Sequence, residues 1–260
     1  MASIFERYPY INNLRGLVGD ELIISEIGSR SEEFEKDLER ARKTIPTINL
    51  NKIFPDSLEK GEIILQNFLG HWGNVSIEEL CKIALIVKFL KPKRVLEIGT
   101  YNGMTTLQMA LNAPADCEVY TLDLPDELMA SIKMSKIDEL ISKIFKEKFG
   151  TATGSYFANR PDLNIVQKLG DSSTFNYDEL GGKKFDLIFI DAAHDYANKK
   201  VDTENALRLI ADGGVILWHN YNDVSCPDVT KYLADISTVY PIFHLRNTSL
   251  AVHYNISTLG

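Results

Sequence analysis

Hydrophobic positions along this chain fall into two alternating patterns, stretches with helical spacing and short, nearly continuous apolar runs. The first ninety residues read as helical and loop-rich. A charged helix from Ser31 to Lys43 is expected, with Ser31 as its cap and the Pro46 region as its end. A loop carrying Pro55 and an apolar segment from Gly61 to Gly70 follow. Ser76, with Glu79 three residues on, forms a capping box before a run in which Leu80, Ile83, Ala84 and Val87 share one helical face; Pro92 stops that helix. From Arg94 the pattern changes. RVLEIG (Arg94 to Gly99), EVYTLDL (Glu118 to Leu124), Asn164 to Leu169, KFDLIFID (Lys184 to Asp191) and Gly214 to His219 read as five strands. The fourth is apolar on both faces, as a central parallel strand should be. Helices are predicted between them at Thr105 to Leu111, Asp126 to Phe149, Ser172 to Leu180 and Val201 to Ile210. Beyond them come a helix near Asp228 to Ile236 and two β-like runs, Ile242 to Arg246 and Ser249 to Tyr254. Strands alternating with helices predict an α/β, Rossmann-like fold, a mostly parallel, doubly wound sheet covered on both faces. An antiparallel hairpin is expected at one edge. The expected partition is an N-terminal helical extension over residues 1–70 and one α/β domain over 71–260.

Composition narrows the range of functions. The chain has 260 residues, 28 Lys plus Arg against 36 Asp plus Glu, and a net charge of −8. That balance argues against a partner recognised through a nucleic-acid backbone, which calls for a basic face. No apolar run is long enough for a membrane span, and the opening residues MASIFERYPY lack a leader-like apolar stretch, so a cytoplasmic protein is expected. Cys81, Cys117 and Cys226 fit neither a disulfide framework nor a CxxC metal site, and no two of the five histidines have HExxH spacing.

Candidate chemistry concentrates at the ends of the predicted strands, where open α/β sheets bind ligands. VLEIGTYNGMTTL places Gly99 and Gly103 between a strand and a helix, without the middle glycine of a dinucleotide-binding turn. Glu97 is a carboxylate on a strand that otherwise reads as core. It suits an ammonium-bearing ligand better than a pyrophosphate. Asp123 ends the second strand, 24 residues after Gly99, where a carboxylate can accept both ribose hydroxyls.

These residues resemble the class I S-adenosylmethionine-dependent methyltransferases, in particular the O-methyltransferase branch that includes catechol and caffeoyl-CoA enzymes. The resemblance runs from about Ser76 to Tyr254. It implies the methyltransferase version of the fold, with S-adenosylmethionine as cofactor held by Glu97, Gly99, Thr100, Gly103, Asp123, Asp171, Ser172 and Asp191. Asp171 and Ser172 belong to GDSS (Gly170 to Ser173), which falls where the family lines its adenine pocket. FDLIFIDAAHDY and GGVILWHN match the fourth and fifth strand signatures, with an Asp-x-x-His-x-Tyr ending similar to methyltransferases of sugars and natural products.

Asp191, His194, His219 and Asn220 lie at or just past two of the predicted strand ends. Asp191 and Asn220 offer oxygen ligands suited to Mg²⁺, and the imidazole of His219 tilts such a site toward Mn²⁺ or a softer ion. In the catechol-type enzymes the matching metal ligands are an Asp and an Asp-Asn pair, so His219 stands where a carboxylate is missing. The alternative is that Asp191 bonds loop backbone and His219 caps the sheet edge. His194 falls at the family's general-base position, and a histidine can take a proton from a hydroxyl; His219 is the second candidate base. His71, Trp72, Tyr101 and Phe157 are candidate walls for the substrate. The resemblance implies methyl transfer to a hydroxyl of a small molecule or sugar. A nicotinamide or nucleotide-sugar enzyme and a noncatalytic scaffold on the same fold are the alternatives. The extension either covers the site or builds a homodimer.

Overall fold

The computed structural model describes residues 3–12, 14–15, 19–68, 73–125, 128 and 152–254. Among the described residues, eight strands form one sheet: β1 (Thr47–Ile48), β2 (Arg94–Ile98), β3 (Glu118–Asp123), β4 (Ile165–Leu169), β5 (Phe185–Ile190), β6 (Ile210–Trp218), β7 (Ile242–Leu245) and β8 (Ala251–Tyr254). Their spatial order is β1-β7-β8-β6-β5-β2-β3-β4. Every pairing is parallel except those of β8, which runs antiparallel to both β6 and β7. The hairpin of β7 and β8 lies toward one end of the sheet, and the two-residue β1, from the N-terminal segment, pairs in parallel outside it. The chain leaves β2 toward β3 on one side, while β5 flanks β2 on the other. The crevice at this reversal of direction is where such sheets take ligands.

Alternation along the central strands sorts the core into two layers. Leu96, Ile98, Ile188, Ile190, Ile216 and Trp218 face one cluster. Into it the Ser31–Thr44 helix inserts Phe34, Leu38 and Ala41, beside Val229 and Leu233 of the Pro227–Ile236 helix. Ion pairs Arg30–Asp228 and Arg40–Asp235, each at 2.5 Å, border that contact. Val95, Leu187, Phe189, Val215 and Leu217 face the other cluster, under the Ile77–Leu90 helix. Glu97 shares the parity of Val95, and residues 191 and 219 continue the series of Phe189 and Leu217. This parity decides the site.

The expected boundaries need four adjustments. Ser31 is the first helical residue rather than the cap, and its hydroxyl donates to the Gly28 carbonyl at 2.9 Å. The helix expected from Val201 starts at Tyr196, because Asp195 caps it by accepting from the Asn198 amide at 3.0 Å. β6 starts at Ile210, four residues early, since pairing with Phe185 begins there and breaks register before Leu187. Of the Ser172 to Leu180 helix, only a 3-10 turn, Tyr177–Leu180, forms. The helix expected over Asp126 to Phe149 falls, but for Leu128, outside the described residues, as do His71 and Trp72.

The segment 61–68 carries no regular secondary structure, yet it is firmly held. Gln108 and Asn112, one helical turn apart on the Met104–Asn112 helix and both buried, clamp its backbone. The Asn112 amide accepts from Ile64 N and donates to Ile64 O, both at 2.8 Å. Gln108 does the same at Gln66, at 3.0 and 2.7 Å. Two side chains thereby take the part of a neighbouring strand.

Candidate active site

The parallel strands β2 to β6 deliver Gly99, Asp123, Asp171, Asp191 and His219 to one edge of the sheet. At the β2 turn Gly99 has φ +103° and Gly103 φ +82°, with Tyr101 at φ +48° between them. A side chain the size of tyrosine in the left-handed region stores roughly 1–3 kcal/mol of strain, which persists only where surroundings hold it. Here the Asp123 carboxylate supplies the hold, accepting from Tyr101 N at 2.6 Å and Leu124 N at 2.7 Å. Phe157 packs against Gly103, where a Cβ would meet its ring at 2.4 Å, so it supports the turn rather than forming an open wall.

Glu97 is 1% exposed. Its Oε2 accepts from the hydroxyls of Thr106 and, at 2.8 Å, Thr121. Thr121 spends its proton on Glu97, so the Thr100 hydroxyl, 2.6 Å away, donates to Thr121. Thr100 therefore points its side chain into the sheet, and its backbone is what it can offer a ligand. Burial pushes the Glu97 carboxyl up to about 8; the two threonine hydroxyls oppose the shift, and the like charges of Asp191 and Asp123 add to it. A neutral acid gathered with two carboxylates is an acidic cradle suited to a cation. The ammonium and sulfonium groups of S-adenosylmethionine fit that chemistry.

At the β4 end, Asp171 folds its own loop, with Oδ1 accepting from Ser173 N at 2.8 Å and Ser173 Oγ at 2.7 Å. Nearby, Lys199 and Asp202 of the Tyr196–Leu209 helix are fully buried. Burial lowers the lysine and raises the aspartate, each partly offset by the other's charge.

The β5 and β6 ends form a buried triad. His219 Nδ1 lies 2.9 Å from Asp191 Oδ1, and its Nε2 lies 3.4 Å from Glu79 Oε2. Glu79 is the capping-box residue, bonded to Ser76 N at 2.8 Å, and its other oxygen accepts from Ser249 N and Oγ, both at 2.7 Å. Burial alone would depress the His219 imidazole, but the charges and hydrogen bonds of Asp191 and Glu79 outweigh it and push the ring up to about 10. His219 is thus an imidazolium with both nitrogens engaged. That geometry leaves no lone pair for a base or a metal, which argues against both roles expected of it. The Glu79 carboxyl is held well below its usual range: burial opposes this, and His219 and Ser249 prevail.

His194 and Asn220 form a second polar chain. His194 Nε2 is 3.0 Å from Asn220 Oδ1, and Asn220 Nδ2 donates to Asp223 Oδ2 at 3.3 Å. Asn220 sits at φ +63°, a left-handed conformation that asparagine tolerates. Both ends of its amide are committed, so a divalent cation held by Asp191, His219 and Asn220 does not fit this arrangement. Among the described residues no group of three His, Cys, Asp or Glu side chains is placed to hold a metal ion.

Residues 96–221, just under half of the chain, match the model of a methyltransferase domain. The chain is 29% identical over 140 residues to a protein of Dictyostelium discoideum named "Probable caffeoyl-CoA O-methyltransferase 3", covering 52% of this chain and 47% of that one. It is 25% identical over 224 residues to the caffeoyl-CoA O-methyltransferase of Medicago sativa, covering 80% and 81%. To catechol O-methyltransferase B of Danio rerio it is 26% identical over 174 residues, covering 65% and 58%. The chain thus spans about half the length of the Dictyostelium and Danio relatives and four-fifths of the Medicago one. Among solved structures, a candidate caffeoyl-CoA O-methyltransferase from Staphylococcus aureus shares the fold with a TM-score of 0.50 at 17% identity, covering 78% of this chain and 91% of that one.

Proposed function

We infer that the chain is a class I S-adenosylmethionine-dependent methyltransferase of the branch of the caffeoyl-CoA and catechol O-methyltransferases it is similar to, and that it transfers a methyl group to a hydroxyl oxygen of a small molecule. The observation that carries this reading is the acidic cradle around the Gly99 turn. Glu97, Asp123 and Asp191 influence one another there, and the sheet reversal opens beside them. When bound, S-adenosylmethionine supplies an electrophilic methyl on a sulfonium. The protein's part is to align, deprotonate and exclude water. Glu97 receives the ammonium end, Asp123 accepts the ribose hydroxyls, and Asp171 with Ser172 borders the adenine. Asp191 completes the cradle, and Gly99 and Gly103 let the backbone approach. His194, beyond the end of β5, takes the proton of the attacking hydroxyl. The net charge of −8 supports an acceptor other than nucleic acid.

The reading is tested by comparing S-adenosylmethionine with NAD in thermal-shift and calorimetric titrations, then assaying methyl transfer to catechol and sugar acceptors. Asp123→Ala should weaken cofactor binding by roughly tenfold to a hundredfold, the worth of a charge-assisted hydrogen-bond pair. His194→Ala should leave affinity intact and lower turnover. Tighter binding of NAD, or an Asp123 variant of unchanged affinity, would overturn the cofactor assignment.

A proton balance follows from Glu97. Its carboxyl is neutral at pH 7, with the midpoint pushed up to about 8, and an ammonium beside it favours the ionised form. Cofactor binding should therefore release a proton, and affinity should rise with pH until about 8, then level off. Calorimetry at pH 7 in two buffers of different ionisation enthalpy reads this as different apparent heats. Identical heats in both buffers, or a difference that survives Glu97→Gln, would contradict it.

A further inference from the structure

We propose that Asn220 and Asp223 are positioning residues that select one tautomer of His194, with the proton on Nε2 and the lone pair on Nδ1. The inference deepens the function proposed above and rests on His194 being the base of that reaction. The argument is one of donor and acceptor accounting. An ionised carboxylate only accepts hydrogen bonds. Asp223 Oδ2 therefore requires the Asn220 end facing it, 3.3 Å away, to be the NH₂ group. That choice turns the amide oxygen of Asn220 toward His194 Nε2 at 3.0 Å. An amide oxygen can only accept, so Nε2 must carry the hydrogen. A neutral imidazole has one N–H, and its basic electron pair is then on Nδ1.

Asp223 is itself fixed. Its Oδ1 accepts from Ser225 N at 2.9 Å and from Ser225 Oγ at 2.6 Å, leaving Oδ2 for Asn220. The turn is tied to the N-terminal extension, since Val224 N donates to the Tyr10 hydroxyl at 2.9 Å. In the reaction, Nδ1 takes the proton of the attacking hydroxyl while the new C–O bond forms and the C–S bond breaks. The resulting imidazolium keeps its Nε2–H bond to Asn220. The same amide that sequence reading assigned to a cation thus has a different task.

The test reads the ring directly. In the full-length protein labelled with ¹⁵N-histidine, at a pH above the ordinary histidine range, His194 Nε2 should show a pyrrole-type shift and Nδ1 a pyridine-type shift. His194→Gln assigns the signals. One hydrogen bond of ordinary strength corresponds to a preference of roughly tenfold. Asn220→Leu should move both shifts toward the averaged, mixed-tautomer position. The exchanged pair Asn220→Asp with Asp223→Asn keeps an acceptor toward His194 and should restore the wild-type shifts. A mixed or Nδ1–H ring in the wild type, unchanged shifts in Asn220→Leu, or an exchanged pair that fails to restore them would overturn the proposal. Methyl-transfer turnover is a separate readout. A His194→Gln variant as active as wild type would defeat the base assignment and leave the tautomer result standing.

Discussion

Replacing Gly99 with alanine should cost the protein its cofactor and much of its stability. The glycine has φ +103°, and a Cβ there would lie 2.4 Å from the Asp191 carbonyl oxygen and 2.7 Å from Ala192 N. Both obstacles are backbone, and that backbone leads from β5 to His194. It cannot swing aside as a flexible side chain would. The unfavourable dihedral alone costs about 1–3 kcal/mol, and relieving the overlap means parting the ends of β2 and β5. Asp191 N donates to the Ile98 carbonyl at 2.8 Å across that seam. Displacing such groups by an ångström is worth on the order of 10²-fold in a reaction that depends on alignment. The expected result for Gly99→Ala is a lowered thermal midpoint, weaker S-adenosylmethionine binding by calorimetry, and methyl-transfer turnover reduced on the order of 100-fold. Wild-type affinity in a stably folded Gly99→Ala protein would show that the turn does not approach the ligand as argued.

The second large effect is expected at Glu79, a residue remote in sequence from the strand signatures. Its carboxylate caps a helix, anchors the backbone before β8 through Ser249, and faces the His219 imidazolium. Removing one partner of a buried charge pair costs about 3–5 kcal/mol, because the other is left unpaired. Glu79→Ala should lose stability of that order in urea. Glu79→Gln, which keeps size and some hydrogen bonds, should lose less. The pH dependence carries the sign of the interaction. His219 titrates near its ordinary 6.5 in the unfolded chain and at about 10 in the fold. Its contribution is complete below 6.5 and is lost as pH rises through about 10. Wild-type stability should therefore fall between these values more steeply than that of Glu79→Gln, in which the folded-state midpoint drops. Parallel pH profiles for the two proteins would mean that His219 is not held charged by Glu79.

The strand ends were legible because each carries a chemical anomaly in an apolar run. Glu97 stands out within Val95 to Ile98, and Asp191 terminates six residues of which five are apolar, Phe185 to Ile190. Their placement at strand ends is what marks them as candidate cofactor ligands. Glu79 was legible only as a helix cap, since the capping pattern spans three residues while its partners His219 and Ser249 lie 140 and 170 positions away. The same distance hid the true state of His219. An imidazole at a strand end looks like a base or a ligand until the two carboxylates flanking it are known. The burial of Lys199 and Asp202 was hidden for another reason. The helix carrying them is polar on most faces, so nothing in its periodicity marks which polar positions turn inward.

The clamp on the segment 61–68 bears on how this region can change over generations. Gln108 and Asn112 grip only the peptide groups of Ile64 and Gln66, so the identities of the gripped side chains are immaterial to that hold. Substitution is therefore tolerated at the exposed Ile64, whereas Ile63 and Leu65 pack against the core and the Gln66 side chain accepts from Arg160; proline at 64 or 66 is excluded because it lacks the N–H that each amide receives. Selection falls instead on two helical positions distant in the chain. The path of this stretch is thus set from a helix distant in the chain, and only its exposed positions are open to change.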